Sequence, residues 1–184
     1  MECKYLIGII IVIVIAIIAG AVLMGGTSTE RADDELVVAA YSHGGEPEAG
    51  FDPMLGWNYL AEPLIQSTLL KMTPNMTYKN DLATSWEAND DFTEYTVKIR
   101  NDVKFTDGTP LTAEDVAFSY NEASTNGASN LEFSSLKNVT AKDNTTVVFK
   151  LNKPDSTFVD KFAYLGIVPS DSYNNETYGS NPIG

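Results

Sequence analysis

The 184-residue sequence has one cysteine, Cys3, and one histidine, His43. Because Cys3 precedes a long apolar run, everything after that run lacks disulfides, thiol chemistry and Cys-based zinc sites. A Ser-His-Asp arrangement would have to be built on His43, and no G-x-S-x-G elbow accompanies it. No P-loop or G-x-G-x-x-G is present either, so nucleotide chemistry would belong to another chain. Positive charge is scarce: 12 Lys and Arg stand against 25 Asp and Glu, for a net charge of −13. No basic stripe exists, which argues against nucleic acid or an anionic membrane surface as partner. The ordinary consequence is a solvated acidic surface, with a bias toward cationic over anionic ligands. No enzyme is expected, and no cofactor or metal centre.

What the chain does have is a charge-free stretch of 20 residues, Tyr5 to Met24. At helical rise it spans about 30 Å, the thickness of a bilayer's hydrocarbon core. Lys4 and the amino terminus precede it, whereas Glu30, Asp33, Asp34 and Glu35 follow. That asymmetry puts the N-terminus in the cytoplasm and the rest of the chain outside. Two readings stay open. Residues 1–26 form an uncleaved signal anchor, or a shorter apolar region, Tyr5 to Ile18, precedes cleavage at Ala19-Gly20-Ala21. The continuing Val22-Leu23-Met24 favours the anchor, and the absence of a Cys after the run disfavours a lipoprotein. Small and polar residues from Gly25 to Glu35 place a flexible tether over 27–35.

Leu36 to Tyr41 is short and almost wholly apolar, the pattern of a strand buried on both faces. Ser42 to Gly56 has loop composition, and Asn58 to Lys71 predicts a helix whose regular part starts near Glu62, since Pro63 suits only a first turn. Met72 to Asp81 reads as loop or strand, and Ala83 to Ala88 as a strand carrying Trp86. Tyr95 to Arg100 alternates apolar and polar residues between the turn formers Asn89-Asp90-Asp91 and Asn101-Asp102, which predicts a half-buried strand. Asp107-Gly108-Thr109-Pro110 is a turn. Thr112 is a predicted N-cap whose hydroxyl accepts from the amide of Asp115, with Glu114 and Asp115 in the positive first turn. Ala113, Val116, Ala117, Tyr120 and Ser124 then share one helical face. Farther on, Leu136–Lys142 and Thr145–Leu151 predict a hairpin about Asp143-Asn144. A helix is expected from Pro154 to about Leu165, a short strand over Gly166–Val168, and one or two helical turns over Asp171–Tyr178.

The order of these parts carries more than any one of them. Trp86, the aromatic strand opened by Tyr95, the Lys104-Phe105-x-Asp107-Gly108-x-Pro110 turn and the Ala113-Glu114-Asp115-Val116 helix start resemble a known signature. It is that of the prokaryotic extracellular solute-binding proteins of family 5, which serve ABC importers of peptides and nickel. Val168-Pro169 and Asn181-Pro182-Ile183-Gly184 match later motifs of that family, so the resemblance spans 36–184.

The resemblance implies an α/β fold: the first lobe of a type II periplasmic-binding-protein architecture with its α+β subdomain, preceded by one transmembrane helix. It implies capture of a peptide or nickel complex outside the cell and delivery to a permease driven by an ATPase subunit. Family members are roughly three times longer. A truncated product or fragment without the second lobe is therefore expected, one that does not close on a ligand by itself. The alternative is a membrane-tethered module that docks on a permease or surface partner without binding solute. His43, Asp52, Trp57 and Tyr59 are candidate cleft-lining residues, because loops at strand C-terminal ends line clefts in α/β folds. Imidazole is also a good nickel ligand. Four sequons, at Asn75, Asn138, Asn144 and Asn175, lie beyond the apolar run, where glycosylation requires them.

Overall fold

Alternating side chains from Tyr95 to Ile99 set the frame of the molecule. Tyr95, Val97 and Ile99 are buried, and the next strand in the sheet supplies Val147, Phe149 and Leu151 to the same face. The computed structural model describes residues 50–55, 63–126 and 131–184. These lie in the second of two units, Ala40–Gly184. The elements are strands β1 (Leu70–Met72), β2 (Tyr78–Asn80), β3 (Ala83–Ala88) and β4 (Glu94–Ile99), helix α1 (Ala113–Asn126), and strands β5 (Leu136–Asp143) and β6 (Thr146–Leu151). Two 3-10 helices follow, Phe158–Ala163 and Tyr178–Ser180.

β1 and β2 form a hairpin, and β3-β4-β6-β5 form a four-stranded sheet in that order, all pairs antiparallel. A helix between antiparallel strands makes the described part an α+β arrangement. The strand predicted over Leu36–Tyr41, the tether and the Tyr5–Met24 segment lie outside the described residues. Among the described residues no helix is long and apolar enough to cross a membrane.

Helix α1 packs on β5 and β6. Ala113, Val116, Ala117, Tyr120 and Ala123 are its buried apolar residues. The expected fifth member, Ser124, is exposed; the stripe follows a spacing of three from Tyr120 rather than four. Tyr120 stands edge-on to Phe149, with ring centroids 4.9 Å apart, and Phe162 lies 4.8 Å from Phe149. Phe158 and Tyr95 complete the pile, at 5.8 and 5.9 Å from Phe162. The two phenols are not stranded in this apolar setting. Tyr120 donates to the Lys161 carbonyl (3.1 Å) and Tyr95 to that of Asp155 (2.7 Å). Burial holds the Tyr120 phenol well above its ordinary range.

Three expected elements differ. The helix predicted through Lys71 is absent from Pro63 onward: 63–69 is irregular and Leu70 opens β1. Its carbonyls serve distant amides instead of the i+4 ladder. Ser67 accepts from Ile167, Thr68 from Leu82, and Leu69 from Asp81 and Ala83. The helix expected from Pro154 contracts to the 3-10 turn at Phe158–Ala163. An Asx turn, in which Asp155 Oδ1 accepts from the Thr157 amide (3.1 Å) and hydroxyl (2.8 Å), delays its start. Gly166–Val168 forms no strand, although Ile167 is tied to Ser67. The β5–β6 hairpin and the β3 and β4 strands form as expected.

The free edge of β5 is closed by a side chain. Asn121 on α1 donates from Nδ2 to the Val139 carbonyl and accepts the Val139 amide on Oδ1, both at 2.9 Å. A carboxamide thus imitates the missing strand at the middle of the edge. Asn121→Ala should lower the unfolding free energy by about 2 kcal/mol, because it orphans both Val139 groups. It should also promote concentration-dependent association. Urea titration and sedimentation check this, and an unchanged midpoint with no new association would count against the edge-closing role.

Candidate functional site

The residues of the family signature converge on one junction. Gly108 adopts φ +89°, a conformation that favours glycine, and closes the Asp107–Pro110 turn. Asp107 Oδ1 accepts from the Thr109 amide (2.9 Å) and hydroxyl (2.6 Å), and these bonds hold its carboxyl below the usual range. Phe105 is buried, while Lys104 and Pro110 face each other across an isolated bridge. Within this turn, Thr106 donates its amide to the Gly184 carbonyl (2.7 Å), and its hydroxyl accepts the Gly184 amide (3.2 Å). Gly184 sits so close to Ile65 that a Cβ would lie 2.5 Å from the Ile65 carbonyl oxygen. The Asn181-Pro182-Ile183-Gly184 motif is therefore docked against the signature turn.

The helix start forms the second contact. Asp115 is buried, and its Oδ2 accepts from the Thr112 amide (2.8 Å) and hydroxyl (2.9 Å). The Thr112 hydroxyl is thus a donor to the Asp115 carboxylate, not the expected acceptor of its amide. Asp115 Oδ1 takes the amide and hydroxyl of Ser170, at 2.8 and 2.9 Å. One turn on, Ser119 donates to the Asp115 carbonyl (2.7 Å) and accepts the Val168 amide (3.0 Å). Val168-Pro169-Ser170 is consequently held on the first two turns of α1. Glu114 and Trp86 stay on the surface, with Trp86 39% exposed beside Tyr95 at a centroid distance of 6.4 Å.

Of the four candidate ligand-facing residues, His43, Trp57 and Tyr59 lie outside the described residues. Asp52 is internal. It is fully buried, its Oδ1 accepts the Met54 amide (2.8 Å) and its Oδ2 the Tyr173 hydroxyl (2.9 Å). A carboxylate with both oxygens engaged and no exposure braces the fold here; it does not line an open cleft. Nearby, Gln66 donates from Nε2 to the Tyr178 hydroxyl (3.0 Å), which in turn donates to the Ile183 carbonyl, while Gln66 Oε1 is buried and has no partner among the described residues. Burial pushes the Tyr178 phenol up to about 12. Sequence reasoning missed Gln66, Tyr173 and Tyr178, because their partners lie 112 to 121 residues away and leave no local pattern.

A groove of about 520 Å³ runs between α1 and β5, lined in part by Glu114, Phe118, Thr125 and Thr140. It gathers no convergent set of donors. Among the described residues no group of three or more His, Cys, Asp or Glu could hold a metal ion. Of the sequon asparagines, Asn75, Asn144 and Asn175 are exposed and Asn138 is half-buried in β5.

Burial raises the Asp52 carboxyl above its ordinary value of 3.8, against the lowering pull of the Met54 amide and the Tyr173 hydroxyl. Over the pH window between those two values the folded state binds more protons than the unfolded one, so this group's contribution to stability falls as pH rises. Asp52→Asn keeps a partner for both bonds and removes the titration. The stability of the variant relative to the parent should therefore improve from about pH 3 to about pH 6. Urea titrations across that range test it; parallel profiles would show that the carboxylate is not desolvated.

The model of the family described as bacterial extracellular solute-binding proteins, family 5 middle, matches residues 77–184. Curated relatives include the oligopeptide-binding protein AppA of Bacillus subtilis, 35% identical over 136 residues, covering 67% of this chain and 25% of the relative. The probable D,D-dipeptide-binding periplasmic protein DdpA of Escherichia coli is 39% identical over 89 residues, covering 48% of this chain and 17% of the relative. Among solved structures, NikZ from Campylobacter jejuni in complex with Ni(L-His) aligns with a TM-score of 0.65 at 27% identity, over 76% of this chain and 30% of that one. The chain thus spans about a quarter of the length of the relatives it matches. The curated relatives are named as peptide-binding proteins, in keeping with the family description. The matched span carries the signature turn, the α1 start and both motifs docked on them, and the chain belongs to family 5 of the bacterial extracellular solute-binding proteins.

Proposed function

We propose that this chain supplies the first-lobe part of the extracellular substrate-binding component of an ABC importer. The observation that carries the reading is the family match over 77–184, together with relatives named for binding oligopeptides, dipeptides and a nickel–histidine complex. The ligand is a peptide or a nickel complex, taken up by closure of two lobes and handed to a permease. No bond is made or broken. The apolar stretch Tyr5 to Met24 holds the N-terminus in the membrane and leaves 27–184 outside. His43, Trp57 and Tyr59 remain the ligand-facing candidates on the first lobe.

The product of the complete reading frame is the species to assay. Titration calorimetry against tri- to nonapeptides and against nickel–histidine should give a dissociation constant of micromolar or tighter for one of these classes. The heat of nickel–histidine binding should fall on His43→Ala if the metal complex is the ligand. No binding to either class would remove the importer reading.

A further inference from the structure

The four sequons are chemically equivalent in sequence, each with Thr at the third position, but the fold separates them. Transfer of a glycan requires an accessible asparagine carboxamide and threonine hydroxyl on a chain segment that can enter a transferase. Asn138 is half-buried within β5 and paired with Lys150. Asn144 is exposed, but its carbonyl accepts the Ala113 amide at the start of α1. Its Thr146 is buried at the head of β6, opposite Lys98. Asn75 and Thr77 are both exposed, but the Thr77 hydroxyl is already bonded to that of Thr73 (2.8 Å) in the β1–β2 turn.

Asn175 is different. Asn175, Glu176 and Thr177 are all exposed and lie outside every strand, just before the 3-10 turn Tyr178–Ser180. The neighbouring Asn174 makes the local turn, its Oδ1 accepting the Glu176 amide at 2.9 Å. The Asn175 carboxamide and the Thr177 hydroxyl take no part in any hydrogen bond among the described residues; Thr177 is held through its backbone alone, its amide donating to Asn174 and its carbonyl accepting from Ser180 and Asn181, so both side-chain groups stay open to solvent.

We propose that Asn175 is an N-glycosylation site of the folded chain, and that Asn138 and Asn144 are not. The co-reactant is a polyprenyl-phosphate-linked oligosaccharide presented by a membrane transferase. The Asn175 nitrogen bonds to the anomeric carbon, the bond from that carbon to the lipid phosphate oxygen breaks, and the phosphate leaves with the proton lost by the amide. No electrons are exchanged. The inference rests on the extracellular placement proposed above.

The test is peptide mass mapping of the protein purified from its native cells, beside an Asn175→Gln variant expressed in the same cells. The expected result is a glycan mass on the Asn175 peptide, bare Asn138 and Asn144 peptides, and loss of one glycan increment in the variant with an unchanged melting midpoint. A bare Asn175 peptide, or glycan on Asn138 or Asn144, overturns the proposal. Trypsin applied to intact cells separates the two ways of failing. A chain digested from outside but bare at Asn175 refutes the glycan site alone, whereas a chain cleaved only after lysis refutes the extracellular placement as well.

Discussion

A single buried carboxylate does more to organise this fold than any other polar group described. Asp115 accepts four hydrogen bonds, two from Thr112 at the helix start and two from Ser170, 55 residues later. A carboxylate so supplied with donors is tolerated inside a protein, whereas the same group without them would be costly. Its position in the first turn of α1 adds the favourable field of the helix N-terminus. Because Ser170 follows Val168-Pro169 directly, the bond fixes how the chain after the 3-10 turn returns over the helix. The aromatic pile of Tyr95, Tyr120, Phe149, Phe158 and Phe162 then lies between that returning chain and the sheet.

This arrangement gives the family signature a physical meaning. The motif is the receiving half of two docking contacts, Thr106 with Gly184 and Asp115 with Ser170. Phe105, Asp107, Gly108, Ala113, Asp115 and Val116 serve there as turn, cap and core residues, while Glu114 and Trp86 are on the surface. A match to residues of this kind identifies the scaffold more sharply than the solute. The named ligands of the relatives, from a nonapeptide to a nickel–histidine complex, fit a scaffold of that kind.

Much of the local structure was legible in the sequence because it is driven by local rules. The period-2 strands β4 and β6, the Asp143-Asn144 hairpin and the Thr112 helix start all carry their own boundary signals. Where tertiary partners decided the outcome, the reading failed. Pro63 to Leu69 has helical spacing, but its carbonyls bind amides from Asp81 to Ala83 and from Ile167, and the chain follows those partners. Asp52 looked like a cleft residue by position, yet Tyr173, 121 residues on, draws it inside. The acidic first turn at Glu114 and Asp115 was foreseen, while the Asp115 carboxylate's bonds to Thr112 reverse the expected cap and those to Ser170 had no signal within reach of a local pattern.

The most direct test of the account is a double-mutant cycle on Asp115→Ala and Ser170→Ala, read by urea unfolding. If the carboxylate couples the helix start to the returning chain, the two substitutions should be less damaging together than the sum of their separate effects, with a coupling of about 1–2 kcal/mol. Additive effects would contradict the account: they would mean that Asp115 only caps its own helix and that the returning chain is held by packing alone.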